Sequence, residues 1–355
     1  MTPTQTKSIR NMSDLTFRDE ELMRRAIGNA DNARLISSPN PWVGAVLELQ
    51  DGSIFDGWTQ EFGKEHAETM CLNSVGGNAD GGTLYVTLEP CSQEGKTPPC
   101  VDSIISSRIK RVVVGLRDPD LLVDGDGIRK LQSAGVRVET GCMSELIEEQ
   151  LRPYLHHRKT GRPFVILKIA STLDGGIAAA DKTSQWITGP EARKEAHKLR
   201  AYSDAICVGK GTVLADNPKL TVRDWAPENQ DISITDPKRV VLGKVPESAE
   251  VHPCLEFESE IEDLLDSLGK DGVMQLLVEG GAKTYKKFHD SGFVNQYEIF
   301  FAPAFIGGNN ALQIFDGDGV KTISDIWRGR VQRVDQLGND IKISIIKRNH
   351  FFIIF

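Results

Sequence analysis

From Thr83 onward the chain alternates short apolar runs with amphipathic stretches, and that alternation limits the fold more than any other feature. Thr83–Leu88 reads as a strand, Cys100–Ser107 as a helix after Pro98-Pro99, Arg111–Leu116 as a strand, Gly127–Ala134 as a helix and Val136–Glu139 as a strand. Strands separated by helix-length segments pair in parallel through crossovers, so this spacing predicts a largely parallel sheet covered on both faces. Upstream, Asp19–Ala30 carries apolar residues at 22, 23, 26, 27 and 30, one face of an amphipathic helix with acids in its first turn. Trp42–Leu49 reads as a strand, Asp51-Gly52 suits a hairpin turn into Ser53–Trp58, and Ala67–Val75 reads as a helix.

A chain of 355 residues exceeds what one hydrophobic core usually serves, so two domains are expected. The pattern breaks into basic and turn residues around Leu151–Pro163, which sets the expected domains at 15–155 and 160–355. A second alternating series follows. Phe164–Ser171, Ala205–Val208, Arg239–Leu242, Val273–Val278, Tyr297–Ala302 and Ile341–Ile346 read as strands, and Pro190–Tyr202, Ile261–Leu268 and Ala282–Asp290 as helices. Lys plus Arg is 42 against 50 Asp plus Glu, a net charge of -8 without the basic stripe of a general nucleic-acid binder. A few placed arginines would still serve a small phosphorylated ligand. No apolar run is long enough to cross a bilayer, and Met1–Ser13 lacks the apolar core of a signal peptide. The chain therefore reads as cytoplasmic, and its closing His350–Phe355 as a final strand or one edge of a subunit contact.

Six cysteines spread through such a chain, at 71, 91, 100, 142, 207 and 254, point to metal binding or core packing, not to a disulfide scaffold. Context separates the two. His66-Ala67-Glu68, Glu89-Pro90-Cys91 and Pro98-Pro99-Cys100 follow one another at strand-to-helix junctions. His66, Cys91 and Cys100 supply one imidazole and two thiolates, three ligands for tetrahedral zinc with the fourth position left for water. Both cysteines are expected at helix starts, where the dipole favours a thiolate. Zinc makes such a water acidic enough to act near neutral pH, and Glu68, two residues on in the first turn, can also face the site, in the position of the non-ligand proton carrier of the zinc nucleobase deaminase signature. The other four cysteines lack this context and read as core.

The second half is less explicit. Lys168 lies within the apolar run 164–171, so it either faces a ligand or an acid or snorkels to solvent. Thr188 or Gly189 caps a helix that Pro190 opens and Arg200 closes. Val208–Arg223 reads as a Gly-rich turn ending in a second arginine, and Arg200 with Arg223 either fork onto one phosphate or form surface ion pairs. Leu276–Lys283 runs a strand through Gly280-Gly281 into a helix. That is either a tight turn or a place where a cofactor pyrophosphate meets a helix N-terminus.

Ser38–Val46, His66-Ala67-Glu68 and Thr87–Cys100, with eight residues between the cysteines, closely resemble the bifunctional riboflavin-biosynthesis deaminase/reductase family. The resemblance covers about Glu20 to Gly308. It implies a cytidine-deaminase-like α/β/α three-layer domain followed by a dihydrofolate-reductase-like α/β domain. It implies zinc-dependent deamination of 2,5-diamino-6-ribosylamino-4-pyrimidinone 5'-phosphate, then NADPH-dependent reduction of the ribosyl group to ribityl. By the same resemblance Asn40 and Lys96 hold the pyrimidine and its phosphoribosyl group. Ala170, Trp186, Thr212, Asp216 and Gly281 contact NADPH, and Ser184, Arg200, Leu220, Arg223 and Glu279 contact the reductase substrate; Lys168, from its place in the strand, is expected to join them. A homo-oligomer is also implied. Gln93 and Thr59 depart from the pattern, standing where that family usually has histidine. A paralogue acting on a related pyrimidine, a reductase with an impaired deaminase half, and a zinc-stabilised binding protein are the alternatives.

Overall fold

The computed structural model describes residues 15–119 and 125–348; Met1–Ser13 and the closing His350–Phe355 lie outside them. The chain divides into two compact units, Met1–Leu151 and Arg152–Phe355.

The first unit runs α1 (Phe17–Arg34), β1 (Gly44–Glu48), β2 (Ile54–Trp58), α2 (Ala67–Ser74), β3 (Thr83–Leu88), α3 (Cys100–Ser106), β4 (Arg111–Leu116), α4 (Asp126–Ser133), β5 (Arg137–Thr140) and the start of α5 (Ser144–Thr160). Its strands form one sheet in the order β2-β1-β3-β4-β5. Only β3, β4 and β5 pair in parallel. The Asp51-Gly52 turn folds β2 back along β1, and β1 also runs against β3, so the sheet is mixed where the spacing alone predicted a largely parallel one.

Two glycines allow helices close to opposite faces of this sheet. A Cβ at Gly44 would lie 1.9 Å from the Ala26 carbonyl of α1, and one at Gly57 would lie 2.3 Å from the Ala67 carbonyl of α2. Gly57 pairs with Ala45, the neighbour of Gly44, so the two contacts fall on opposite faces of a period-two strand. The result is a three-layer α/β/α unit. Thr16 caps α1, whose Asp19 is buried under Arg111 (2.6 and 3.0 Å) and Tyr85 Oη (3.0 Å). Burial works against the Asp19 carboxylate, but Arg111 holds it well below the usual range. Removing one partner of such a pair typically costs about 3–5 kcal/mol.

α5 runs through much of the stretch, 151–163, where the sequence pattern breaks into basic and turn residues. Ile147, Leu151 and Tyr154 lie at helical spacing and are buried, and that stripe outweighs the Pro153 within the helix.

The second unit continues with β6 (Phe164–Thr172), β7 (Gly176–Ala178), α6 (Pro190–Ala201), β8 (Ala205–Gly209), α7 (Lys210–Asp216), β9 (Lys238–Leu242), β10 (Leu255–Phe257) and α8 (Ile261–Lys270). It closes with β11 (Gln275–Val278), α9 (Ala282–Ser291), β12 (Val294–Ala302), β13 (Leu312–Gln313), β14 (Gly329–Leu337) and β15 (Asp340–Lys347). Its main sheet has the order β10-β9-β8-β11-β6-β12-β15-β14, parallel from β10 to β12 and antiparallel beyond. Helices cover both faces, so the central strands are apolar throughout instead of alternating. Val165, Leu167 and Ile169 pack with Leu264, Leu268 and Phe288 of α8 and α9, while Ile166, Val208 and Leu277 pack with Val213 of α7 and Leu199 of α6.

Candidate active sites

In the first unit β2 ends at Trp58, a short loop follows, and His66 takes the N-cap position of α2 in extended conformation. Glu68 then falls in the first turn of α2, and Cys100 opens α3 after Pro99. Cys91 is not at a helix start as the sequence suggested; it lies in the loop after β3, and the backbone N–H of Cys100 approaches its sulfur at 3.3 Å. The ligand atoms of His66, Cys91 and Cys100 all lie within 4.8 Å of one another. His66 Nδ1 is 3.2 Å from Cys100 Sγ and 3.6 Å from Cys91 Sγ. Tetrahedral zinc at ordinary Zn–S and Zn–N lengths sets its ligand atoms roughly 3.6 Å apart, so the donor set fits that ion in type, number and spacing.

The electrostatics favour a cation. Hydrogen bonding from Cys100 pulls the Cys91 thiol well below its ordinary range, with His66 adding to the effect. Hydrogen bonding to Cys91, together with burial, pushes Cys100 up, so the pair retains one proton that a divalent ion would displace. Glu68 is 3 % exposed, raised by burial, and hydrogen-bonded by Cys100. The outward nitrogen of the ligand imidazole, His66 Nε2, faces Thr97 Oγ1 at 3.5 Å; Thr97 carried no weight in the sequence reading.

Of the other positions singled out, Asn40 is half-buried in a turn closed by its N–H on the Ser37 carbonyl at 2.8 Å. Lys96 is exposed and sets its ammonium 4.0 Å from the centre of the Phe62 ring, a partner sequence reasoning missed. Gln93 is exposed, whereas Thr59 is buried with its N–H on the Val43 carbonyl at 3.0 Å.

In the second unit several of the candidate residues lie on or just after the carboxyl ends of parallel strands, where open α/β sheets place their ligand crevices. Lys168 and Ala170 lie on β6, Glu279 follows β11, and Gly209 ends β8. Lys168 alternates onto the face of Ile166. There its ammonium lies 5.6 Å from the centre of the Phe300 ring. Burial lowers the Lys168 ammonium; Glu279 opposes that shift and Arg200 adds to it. Lys168 is half-buried against Phe300 and makes no ion pair with an acid among the described residues.

Arg200 is not free to share a phosphate with Arg223. Its fork is taken by Glu279, with both N–O distances at 2.9 Å, and Nη1 donates to the Thr221 carbonyl at 3.1 Å. Burial alone would raise the Glu279 carboxyl, but Arg200 brings it down to about 2. Arg223 is exposed and forms no ion pair among the described residues.

The stretch read as a Gly-rich turn contains a helix, α7. Gly209 sits at its N-cap, Val213 buries into the core, and Asn217 ends it in left-handed conformation. Thr212 of α7 meets Gly280: a Cβ there would lie 3.2 Å from Thr212 Oγ1. Gly281 is the N-cap of α9 with no side-chain cap, and a Cβ at that position would meet nothing within 4 Å. An uncapped helix start beside open space suits the pyrophosphate of a dinucleotide.

Leu220 is buried with φ +54. Ser184, Trp186 and Asp216 make no hydrogen bond or ion pair with the other candidates among the described residues. Trp186 is 67 % exposed, with the Arg193 guanidinium 4.7 Å from its ring centre. Two residues the sequence reading passed over, His197 and Asp174, hold backbone here. His197 Nδ1 accepts the Arg223 N–H at 3.0 Å, and Asp174 accepts from Gly307 N at 2.7 Å. His197 was detectable in principle, three residues before Arg200 on one helical face.

Residues 17–116 match the model for the cytidine and deoxycytidylate deaminase zinc-binding region, and residues 163–343 match that for the RibD C-terminal domain. The chain is 36% identical to the riboflavin biosynthesis protein RibD of Bacillus amyloliquefaciens, over 93% of this chain and 97% of that one. It is 32% identical to RibD of Escherichia coli K12, over 93% and 100% respectively. The solved structure of Acinetobacter baumannii RibD superposes with a TM-score of 0.86 at 34% identity, covering 94% of this chain and 99% of that one. A diaminohydroxyphosphoribosylaminopyrimidine deaminase/5-amino-6-(5-phosphoribosylamino)uracil reductase from Thermotoga maritima superposes with a TM-score of 0.82 at 34% identity, covering 93% and 98%.

Proposed function

This chain belongs to the RibD family of bifunctional riboflavin-biosynthesis deaminase/reductases, and from that premise we propose how its two units divide the work. Residues 15–155 hydrolyse the amino group of 2,5-diamino-6-ribosylamino-4-pyrimidinone 5'-phosphate. Residues 160–355 reduce the ribosyl group of the deaminated product to ribityl.

The convergence of His66, Cys91 and Cys100 beside the buried Glu68 carries the first assignment. His66, Cys91 and Cys100 would hold zinc, which when bound would make a water acidic enough to attack near neutral pH. With zinc bound, Glu68 would take one proton from the attacking water and deliver it to the amino nitrogen, which leaves as ammonia when the C–N bond breaks; the oxygen stays on the carbon as the carbonyl and its remaining proton ends on the adjacent ring nitrogen. Asn40 orients the pyrimidine. Lys96, now against Phe62, reaches the phosphoribosyl group.

In the second unit Ala170, Trp186, Thr212, Asp216 and Gly281 hold NADPH, with the pyrophosphate at the uncapped start of α9. NADPH when bound supplies the hydride that reduces ribose C1'. Lys168, Ser184, Arg200, Leu220, Arg223 and Glu279 hold the substrate, with the Arg200–Glu279 pair setting the floor of the crevice and Arg223 meeting the phosphate. The same reading makes the chain a cytoplasmic homo-oligomer acting on a small molecule, and sedimentation of the purified protein tests the oligomer.

Ammonia release and NADPH oxidation, followed separately on zinc-loaded protein, test the division. Chelation is expected to abolish ammonia release and leave the reduction of pre-deaminated substrate within about twofold, since losing a metal-activated nucleophile removes the reaction itself. Loss of both activities together would defeat the assignment of one chemistry to each unit.

A further inference from the structure

We propose that His197 is a positioning residue for recognition of the reductase substrate's phosphate: it fixes the backbone of Arg223 so that the guanidinium of Arg223 meets the phosphate. The proposal rests on the reading that Arg223 binds that group.

The segment 220–224 is bounded by residues in left-handed conformation, Leu220 and Asp224, each at φ +54. For a buried leucine that backbone is strained and persists only where the surroundings over-determine it. They do so here. Each of the three residues between has a backbone group held by a side chain from outside the segment. Arg200 donates to the Thr221 carbonyl at 3.1 Å, Asp236 accepts the Val222 N–H at 2.8 Å, and His197 Nδ1 accepts the Arg223 N–H at 3.0 Å. Leu220 is 2 % exposed and packs among the core residues of the α6 and α7 face, which pins the segment from below.

So much fixation of a short exposed-side loop is unexplained by stability alone, because the loop buries little beyond Leu220. Its product is a set position for Arg223. The two arginines differ in what they are free to do. Arg200 spends its fork on Glu279, whereas Arg223 has no carboxylate partner among the described residues. A phosphate arriving at the crevice therefore finds Arg223 as the cation with an open fork.

His197 suits the task. It is 7 % exposed on the same face of α6 as Arg200, so one helix fixes two of the loop's three held points, Thr221 and Arg223. To accept a hydrogen bond at Nδ1 the ring must be neutral there, and burial beside Arg200 and Arg223 keeps it so, lowering its pKa to about 4.

The test uses the full-length protein with 5-amino-6-(5-phosphoribosylamino)uracil and the same compound lacking its phosphate. H197F keeps a buried ring and removes the acceptor. H197N places Oδ1 near the position of Nδ1 and restores it. For H197F the KM for the phosphorylated compound should rise about tenfold, the size of one impaired charge-assisted contact. kcat, the KM for the dephosphorylated compound and the NADPH Kd should all stay within about twofold, and H197N should recover most of the loss. Equal losses on both compounds, or a weakened NADPH Kd, would make His197 merely structural and overturn the proposal. R223Q separates this from the underlying reading. If R223Q leaves the preference for the phosphorylated compound intact, the phosphate assignment itself fails; if R223Q abolishes the preference while H197F does not change it, only the positioning role fails.

Discussion

The two units store their chemistry differently. In the first, three donor atoms from residues 66, 91 and 100 lie within 4.8 Å of one another, and Glu68, the proposed proton carrier, sits two residues from His66. In the second, the candidate residues run from Lys168 to Gly281 and are joined through a buried ion pair, two helix starts and a loop fixed by its backbone. A metal cage needs particular side-chain types at one point, so it tolerates little substitution. A dinucleotide crevice is built largely from backbone N–H groups and strand ends, which many residue types can present. The first site is chemically narrow and the second is geometrically assembled.

The sharpest way to break that comparison is E68Q. The amide is close to isosteric with the buried carboxyl, so the fold should survive while the proton carrier is lost. Ammonia release should fall by about 10²–10⁴-fold, the ordinary range for removing a general acid–base. Reduction of pre-deaminated substrate should not change. A loss below tenfold would mean that some other group moves the proton, and that the first site is less narrow than its spacing suggests.

This difference explains what the sequence revealed. His66, Cys91 and Cys100 stood out because histidine and cysteine at strand-to-helix junctions have few other reasons to recur in that order, and the structure brings them together. The core strands and most helices were equally plain, since period-two and period-3.6 patterns follow directly from which face is buried, whereas β7, β10 and β13, at two or three residues each, are too short to show a period. Contacts made across the fold were not. Nothing local tells that Arg200 will spend its fork on Glu279, seventy-nine residues away, or that His197 will hold the Arg223 backbone. α7 was hidden because Gly209 and Gly211 punctuate its start and only Val213 marks its buried side. β14 was hidden because an edge strand rich in Arg and Gln has no apolar face to display.

A second prediction sharpens the electrostatic side of the comparison. The Glu279 carboxyl is held down to about 2 from an ordinary value near 4.5. A lowered folded-state pKa gives stability that is present above the unfolded value and is lost as pH falls through the folded one. E279Q leaves Arg200 buried without its counter-charge, at a cost of about 3 kcal/mol at pH 7. The gap between wild type and E279Q should stay constant down to about pH 4.5 and close towards pH 2, where wild-type Glu279 is itself neutral. Hydrogen exchange read in β8 and β11 should report the gap, with β3 and β4 of the other unit unmoved. A gap independent of pH would show that the amide loses packing and not charge.

The smallest expected effect bears on the most geometric element, the start of α9. Gly281 has extended φ and ψ, so alanine needs no strained backbone there, and its Cβ would meet nothing within 4 Å. Thermal stability of G281A should therefore stay within a few degrees of wild type, since Gly and Ala at an N-cap differ by well under about 2 kcal/mol. If the cofactor pyrophosphate lies against this helix start, the added methyl occupies the space of its closest approach. NADPH binding should then weaken by about tenfold, or roughly 1.4 kcal/mol, as read by fluorescence titration. Deamination should be untouched. Unchanged NADPH affinity at unchanged stability would place the pyrophosphate elsewhere along the sheet edge, and the Gly280-Gly281 pair would then serve only to turn β11 into α9 against Thr212.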